Sequence, residues 1–378
     1  MNNPAAELFR QTWSGEPEVA ASAPGRANLI GEHTDYNGGP VLPMALEQRT
    51  WMAVRGRHGG GWRAVSALDG RIRRFDPAAR MPASWTAYLA GAARALMARG
   101  AVLPAGAEIA VAGDVPVGAG LSSSAALTVA GVRALAALAG MSLSRAAAVD
   151  LAWSAEHDHV GVACGRMDQS IAVWARRNHA LLLETGSGAR RQVPFARCIL
   201  LIDTGRAHRL AGGHLNRRRA ECESALARLR LVRPELASLA AISLGELDRL
   251  VRGLPAALAR RVRHVVTETA RTREAAAALS AGRYAAAGRL LVAGHASLRD
   301  DYESSCIEAD WLVGEAVEQG AWGARLTGAG WGGTVVVLAP ERSIGALQAA
   351  IGNRFRRRFG RVPRMWLSRA GTAARLER

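Results

Sequence analysis

Three observations predict a mixed α/β fold. Short β-like runs, Val19–Ser22, Trp51–Arg55 and Glu108–Ala112, alternate in the first half with Gly-rich turns and with apolar stretches of helical spacing. The second half opens on β-like runs at Leu181–Glu184 and Cys198–Asp203, then continues as a helical stretch from Leu215 to Leu291, broken at Pro234 and Pro255. It closes on a strand at Gly332–Leu338, a helix, and a short strand at Arg364–Leu367. At 378 residues the chain has the length of two domains. The polar, Gly-containing segment Thr185–Pro194 is where they divide, giving 1–188 and 189–378.

The helices of the first half are read in order. One is expected over Trp85–Arg99 and a second over Ala125–Ala139, where Leu127, Val132, Leu135 and Leu138 form a buried stripe. A third is expected over Ser144–His157. With 49% hydrophobic residues there is ample material for a packed core. No internal repeat or low-complexity linker interrupts the pattern.

Charge narrows the chemistry. The sequence has 49 Lys plus Arg against 32 Asp plus Glu, a formal net charge of +17, and every one of the 49 is arginine. A chain without lysine forms no Schiff base, which excludes PLP enzymes and class I aldolases. It also lacks the lysine of a P-loop and the strand lysine of a protein kinase. Phosphate must therefore be met by backbone N–H groups, arginine and metal. A basic surface invites a nucleic-acid reading, but the arginines are spread along the chain, and no zinc-finger spacing, RNP-type motif or basic heptad array accompanies them. Heavy Ala, Arg and Gly usage reads instead as the codon bias of a GC-rich genome.

Cys164, Cys198, Cys222 and Cys306 are widely spaced and read as free thiols of a reducing compartment. The N-terminus lacks the pattern of a secretion signal, and the longest apolar run, Ala125 to Met141, contains Arg133 and is too short for a bilayer. A cytoplasmic monomer that binds neither membrane nor nucleic acid is expected.

The most informative segment is EIAVAGDVPVGAGLSSSAA, Glu108–Ala126. A strand runs into Gly118 and Gly120, then into Ser122, Ser123 and Ser124 at the head of a helical Ala/Leu stretch. Glycines let a ligand approach the backbone, and a helix N-terminus offers unpaired N–H groups and positive potential. An anion site and a plain Ser-capped helix both fit. RLTGAGWGGT, Arg325–Thr334, is too rich in small residues for one turn. It suggests two backbone segments packed closely or a loop pressed against a ligand.

A charged loop, APGRANLIGEHTDYNGGPVLP at Ala23–Pro43, carries Arg26, Glu32, His33 and Asp35. Its carboxylates suit paired sugar hydroxyls; a capping network is the alternative. Glu-His-x-Asp here, and Glu156–His159 with Cys164, also contain metal-ligand types without closed zinc spacing. Asp168 follows a small-residue stretch in GVACGRMDQS, Gly161–Ser170, and is read as a loop residue.

These motifs carry a resemblance. PGRANLIGEHTDYNGG at Pro24–Gly39 resembles the galactokinase signature, VPVGAGLSSSAA at Val115–Ala126 the second motif of the GHMP kinases, and RLTGAGWGGT their third. CGRMDQ, RRRAECE, RVRHVVTETART and SLRDDYE extend the likeness over nearly the whole chain in order. The resemblance implies a two-domain α/β GHMP kinase fold with the active site in the interdomain cleft. It implies transfer of the γ-phosphoryl of MgATP to the anomeric hydroxyl of a hexose. By position, Asp168 would be the catalytic base and Arg26 its partner. Glu32, His33, Asp35 and Gly165 would contact the sugar; Gly118, Gly120 and Ser122, Ser123 and Ser124 would cradle phosphate. Glu156 with Ser123 or Ser124 would contact Mg2+, and Trp85 would lie near the adenine.

Three differences from that pattern matter. Arg166 stands where isoleucine is usual, Leu215 where a sugar-contacting tyrosine is usual, and Ala329 and Trp331 where Gly and Phe are usual. Losing a tyrosine hydroxyl removes one hydrogen bond, about 0.5–1.5 kcal/mol. An inward Arg166 would pair with an anionic substrate group, which raises a uronic acid, pentose or amino sugar as alternative acceptor. A catalytically silent galactose sensor is the remaining alternative, although the serine run, Glu156, Arg26 and Asp168 are all present.

Overall fold

Asn3 starts the first helix, its side chain accepting from the Ala5 and Ala6 amides at 3.1 and 3.2 Å, with proline in the first turn. The computed structural model describes residues 3–162, 164–206 and 211–377. Along the first half come α1 (Pro4–Thr12), β1 (Val19–Asn28), β2 (Pro40–Val41), β3 (Pro43–Arg57), β4 (Trp62–Ser66) and β5 (Arg73–Phe75). They are followed by α2 (Thr86–Met97), β6 (Gly106–Gly113), α3 (Ser123–Leu138), α4 (Arg145–Ser154) and α5 (Met167–Trp174). The second half continues with β7 (His179–Glu184), β8 (Ala189–Pro194), β9 (Ile199–Asp203), α6 (Ala211–Arg230), α7 (Leu244–Val251), α8 (Ala256–Ser280), α9 (Tyr284–Asp300) and α10 (Ile307–Glu318). It ends on β10 (Gly323–Thr327), β11 (Thr334–Leu338), α11 (Ile344–Phe359), β12 (Met365–Ser368) and β13 (Arg375–Glu377).

The strands form three sheets, in the orders β13-β1-β3-β6-β4-β5, β10-β11-β9-β12 and β2-β7-β8. The first is antiparallel except for the β4–β6 pair. Helices α2, α3 and α4 cover one of its faces with Leu89, Leu96, Val132, Leu135 and Leu151 against Met52, Val54 and Ile109. On another side α1 seats Phe9 and Trp13 against Ala53, Val65 and Ala110. The C-terminal β13 pairs with β1, so the last strand closes the first sheet.

The second-half core joins β9, β10 and β11 to α6, α7, α8, α10 and α11 through residues such as Leu200, Val265, Leu312, Val335 and Phe355. A further cluster belongs to both halves, combining Ile30, Leu42 and Leu121 with Ile199, Leu279, Leu291 and Val336. The turn at 185–188, where the sequence suggested a division, closes the β7–β8 hairpin.

The expected elements are present with shifted ends, and several short ones escape the sequence patterns: β2, β4, β5 and β13 have two to five residues each. Three differences matter for the site. The strand expected at Val19–Ser22 runs on to Asn28, with a register shift between Pro24 and Arg26, so Arg26 lies on strand rather than loop. Asp168 lies in the first turn of α5. The third expected helix ends at Ser154 and passes into a π-helical turn over Ala155–Val160, which carries Glu156.

In the second half, α9 meets β10 backbone to backbone. A Cβ on Gly288 would overlap the Trp322 carbonyl, and one on Gly323 would overlap the Gly288 carbonyl. Gly288→Ala must therefore push α9 off the sheet, costing about 2–3 kcal/mol, the upper part of the overpacking range. Urea denaturation measures this; an unchanged midpoint would contradict the contact.

Candidate active site

The phosphate-loop motif connects β6 to α3. Gly118 and Gly120 take left-handed φ of 75° and 74°, and Ser122, which is not glycine, takes 56°. That conformation costs a non-glycine residue on the order of 1–3 kcal/mol and is held by its surroundings. Ser122 makes no side-chain cap to α3; its hydroxyl donates instead to Asp168 Oδ2. The first internal bond of α3 is Ala126 N–H to Ser122 O at 3.0 Å, which leaves the preceding amides at the helix start open.

Arg26 reaches this loop from β1. Its Nε donates to Asp168 Oδ1 at 2.8 Å and Nη2 to Oδ2 at 3.0 Å, a bidentate pair. Its Nη1 donates to the Gly120 carbonyl at 2.5 Å. One guanidinium thus fixes α5 and the phosphate loop on the same strand. The Arg26 side chain is 9% exposed and that of Asp168 24%, so the carboxylate keeps an open side.

That side faces a cavity of about 490 Å³ between the phosphate loop, the charged segment after β1 and the third motif. The third motif is pressed against the loop: a Cβ on Gly328 would stand 3.1 Å from the Gly120 carbonyl, and Thr334 Oγ1 donates to the Ala119 carbonyl at 2.7 Å. Both halves of the chain build the walls. Gly118, Gly120, Ser122, Ser123, Ser124, Glu156 and Asp168 line it from the first half, with Leu215, Gly328 and Ala329 from the second.

Arg26, Glu32, His33, Asp35 and Gly165, expected together, all line the same cavity. Gly165 admits no side chain, because a Cβ would collide with Asp35 Oδ2. Burial, reinforced by the Asp168 charge, pushes the Asp35 carboxyl up to about 6. Glu32 is buried, and its Oε1 has no hydrogen-bond partner among the described residues. Burial raises the carboxyl to about 7 although Arg325 Nη2 lies 2.5 Å from Oε2. His33 has φ 64°; burial keeps its ring neutral, and Nε2 has no partner among the described residues.

Beneath Glu32 lies a buried charge cluster that the sequence motifs did not single out. Arg325, fully buried on β10, contacts Glu32 and donates from Nη1 to Glu268 Oε1 at 2.6 Å. Glu268 also accepts from the Gly31 amide at 3.0 Å and from Arg271 Nε at 3.0 Å. Burial alone would raise Glu268, but Arg325 and Arg271 outweigh it and hold the carboxyl down to about 2. The signal in the sequence was an arginine at the centre of the otherwise uncharged strand Gly323–Thr327, at the head of a motif otherwise notable for its glycines.

Glu156 is buried, with Oε1 accepting from Gln169 Nε2 at 2.7 Å, and burial raises its carboxyl to about 7. Together with Ser123 and Ser124 it presents an oxygen-only donor set on the cavity wall. That chemistry fits Mg2+, which takes one or two protein oxygens and completes its shell with water and phosphate. Among the described residues, no group of three or more His, Cys, Asp or Glu side chains is placed to hold a metal. His157 and Asp158 pair with each other at 2.9 Å on the exposed side of the turn.

Trp85 stands at the start of α2 against the first-half core, with Arg73 5.9 Å over its ring. It does not line the cavity; Tyr88, one turn later and absent from the sequence expectations, does. Arg166 points away, donating to Asp150 Oδ1 at 2.8 Å and lying 4.7 Å over the Trp153 ring, its side chain 55% exposed.

Loop, carboxylate and cleft define a GHMP kinase, a phosphotransferase acting on a hydroxyl. The family models for the N-terminal and C-terminal parts of the GHMP kinases match residues 87–176 and 275–357, and the galactokinase galactose-binding signature matches 7–56. A galactokinase of Roseiflexus sp. is 40% identical over 96% of this chain and 94% of its own length. The Homo sapiens galactokinase is 40% identical over 88% and 87%. The crystal structure of Lactococcus lactis galactokinase complexed with galactose superposes with a TM-score of 0.91 at 31% identity, covering 98% of both chains. A mevalonate kinase of Methanococcus jannaschii, at 16% identity and a TM-score of 0.68, shares the fold. Within the GHMP kinases, the chain belongs to the galactokinase family.

Because Arg166 is tied to Asp150 and Trp153 outside the cavity, Arg166→Ile should leave the KM for the sugar within about twofold, as expected of a surface change. Steady-state kinetics of the variant check this; a KM change above about fivefold, well outside that surface range, would place Arg166 in substrate recognition.

Proposed function

We propose that the protein transfers the γ-phosphoryl group of MgATP to the anomeric hydroxyl of α-D-galactose, giving galactose 1-phosphate and ADP. The observation that carries the reading is the convergence of Arg26, Ser122 and the Gly120 carbonyl on the environment of one cavity-facing carboxylate, Asp168. Phosphoryl transfer needs alignment and charge neutralisation more than covalent help, and these residues supply both.

In this scheme Glu32, Asp35 and His33 orient the sugar, with Gly165 leaving room beside Asp35. Asp168 takes the proton of the anomeric hydroxyl on its open side as the oxygen attacks phosphorus. Arg26 holds the carboxylate in register through two parallel bonds and places positive charge next to the transferring group. Gly118, Gly120 and Ser122, Ser123 and Ser124 present backbone amides and the α3 N-terminus to the phosphates. Glu156 with Ser123 or Ser124 would hold Mg2+, which neutralises phosphate charge when bound. Tyr88 and Trp85 both sit at the α2 end of the site; Tyr88, on the cavity wall, is the better placed to meet the nucleotide base.

The reading includes a cytoplasmic monomer without a nucleic-acid role. Its cysteines are free among the described residues, and many of its arginines are spent on internal pairs, such as Arg217 with Glu221 and Arg219 with Glu223. Among the described residues no helix is long and apolar enough to cross a membrane. Arg166, the arginine that could have paired with an acidic sugar, is bound to Asp150 and does not line the cavity.

An ADP-release assay across galactose, glucose, N-acetylgalactosamine, arabinose and galacturonate tests the proposal. Galactose should give the highest kcat/KM, and Asp168→Asn should lower kcat by at least about 10²-fold, the scale of a lost general base. Higher turnover on galacturonate, or full activity in Asp168→Asn, would overturn it.

A further inference from the structure

The polar groups behind His33 form a chain that ends in the protein interior. His33 Nδ1 lies 2.8 Å from the Tyr36 hydroxyl, which lies 2.8 Å from the Tyr302 hydroxyl, which lies 3.2 Å from Cys222 Sγ. Tyr302 is fully buried and Cys222 nearly so. The same Tyr302 ring stacks on the imidazole, centroids 4.4 Å apart at 23°, and Asn37 Nδ2 donates to the His33 carbonyl at 2.8 Å. Ring plane and backbone are both pinned, so the remaining freedom of His33 is which nitrogen carries its proton.

Counting hydrogens settles that freedom. The thiol and each hydroxyl own one hydrogen, and the neutral imidazole owns one. The three links need three of these four hydrogens, so they can be filled together in four ways, only one of which has Tyr36 donating to Nδ1. In that one, the thiol donates to Tyr302, Tyr302 to Tyr36 and Tyr36 to Nδ1, leaving the imidazole hydrogen on Nε2. In the other three Nδ1–H donates to Tyr36, and the hydrogen left out of the chain is that of Tyr36, of Tyr302 or, when every link is reversed, of the thiol. Each of these three leaves one hydroxyl or thiol hydrogen outside the chain, and the fully reversed one also spends a hydroxyl on sulfur, a weak acceptor. The forward chain uses every hydrogen and gives the imidazole nitrogen, the best acceptor present, an O–H donor.

We propose that Cys222, Tyr302 and Tyr36 are positioning residues that fix His33 as the Nε2–H tautomer, so that it offers the sugar a hydrogen-bond donor. The inference rests on the galactose reading above. Nε2 is the one polar ring atom left unpartnered, and His33 lines the cavity. Glu32 and Asp35, the neighbouring carboxylates, are acceptors when ionised. A hydroxyl held between them and His33 gives its hydrogen to a carboxylate and accepts from Nε2–H, which both satisfies the hydroxyl and rejects a substituent that cannot do both.

The test is a long-range 1H–15N correlation spectrum of the sugar-free enzyme labelled with 15N-histidine, with His33 assigned by its loss in His33→Gln. The wild type should show His33 protonated on Nε2. Tyr302→Phe frees the Tyr36 hydroxyl to donate or accept, so a population protonated on Nδ1 should appear. The same variant should raise the KM for galactose about 3- to 10-fold, the scale of one neutral hydrogen bond, with kcat and the KM for ATP within about twofold. Cys222→Ala leaves Tyr302 only Tyr36 to donate to, so the Nε2–H form should persist. A wild-type His33 protonated on Nδ1 overturns the proposal whether or not any variant folds, as does an unchanged tautomer and KM in Tyr302→Phe. Because the spectrum is taken without substrate, it is independent of the sugar assay. Inactivity on galactose with the Nε2–H tautomer present would remove the galactose reading and with it the role of the donor, while the chain itself would stand.

Discussion

The paired bonds from Arg26 to Asp168 are the constraint on which the site depends. Arg26 enters at the end of β1, where the strand shifts register, and its guanidinium spans a carboxylate on α5 and a carbonyl of the phosphate loop. That bridge ties together three segments distant in sequence, alongside the Ser122 bond to Asp168 and the Arg26 amide bond to the Leu121 carbonyl. With it, Asp168, the glycine–serine loop and the segment following β1 are set relative to one another by a planar group that lysine could not imitate. The lysine-free composition is therefore compatible with the proposed chemistry, in which phosphate would face amides, hydroxyls and an arginine already paired with Asp168.

A second buried arginine plays the matching part on the sugar side. Arg325 comes from the other half of the chain and lies between Glu32 and Glu268, while Glu268 in turn accepts from the Gly31 amide. One guanidinium thus supports a cavity-lining carboxylate and, through Glu268, the turn that carries it. Buried pairs of this kind are weak evidence for net stability, but removing one member leaves charge without compensation. Asn28 and Thr327 add a pair of 3.0 Å hydrogen bonds across the same junction. The cleft is held from both sides by polar contacts as well as by the shared apolar cluster.

Much of this was legible in the sequence, and the failures have physical causes. The glycine–serine run before an Ala/Leu helix signals an anion site because left-handed turns and an open helix start need those residues, and the structure has both at Gly118–Ser124. The third motif's small residues signalled close backbone approach, realised where Gly328 meets Gly120. Asp168 was read as loop because Gly165 and its neighbours resemble a turn, whereas its helix has only eight residues and little room for periodicity. Arg325 and Glu268 stayed hidden because a charged residue in an apolar strand or helix looks solvent-facing until tertiary structure buries it. Tyr36, Tyr88 and Tyr302 lacked any spacing signal, since their partners lie up to hundreds of residues away. The short strands β2, β5 and β13 carry too few residues to show alternation and exist through pairing with longer neighbours.

The central claim is that Arg26 and Asp168 act as one unit, and a double-mutant cycle on kcat/KM measures this directly. Arg26→Met, Asp168→Asn and the double variant would be compared with the wild type, with folding checked by circular dichroism. If the arginine works through the carboxylate it positions, the double variant should be no more than about threefold worse than the more impaired single variant, the non-additivity expected of groups acting together. Losses that multiply across the cycle would mean that the two residues contribute independently, and the account of the site would be wrong.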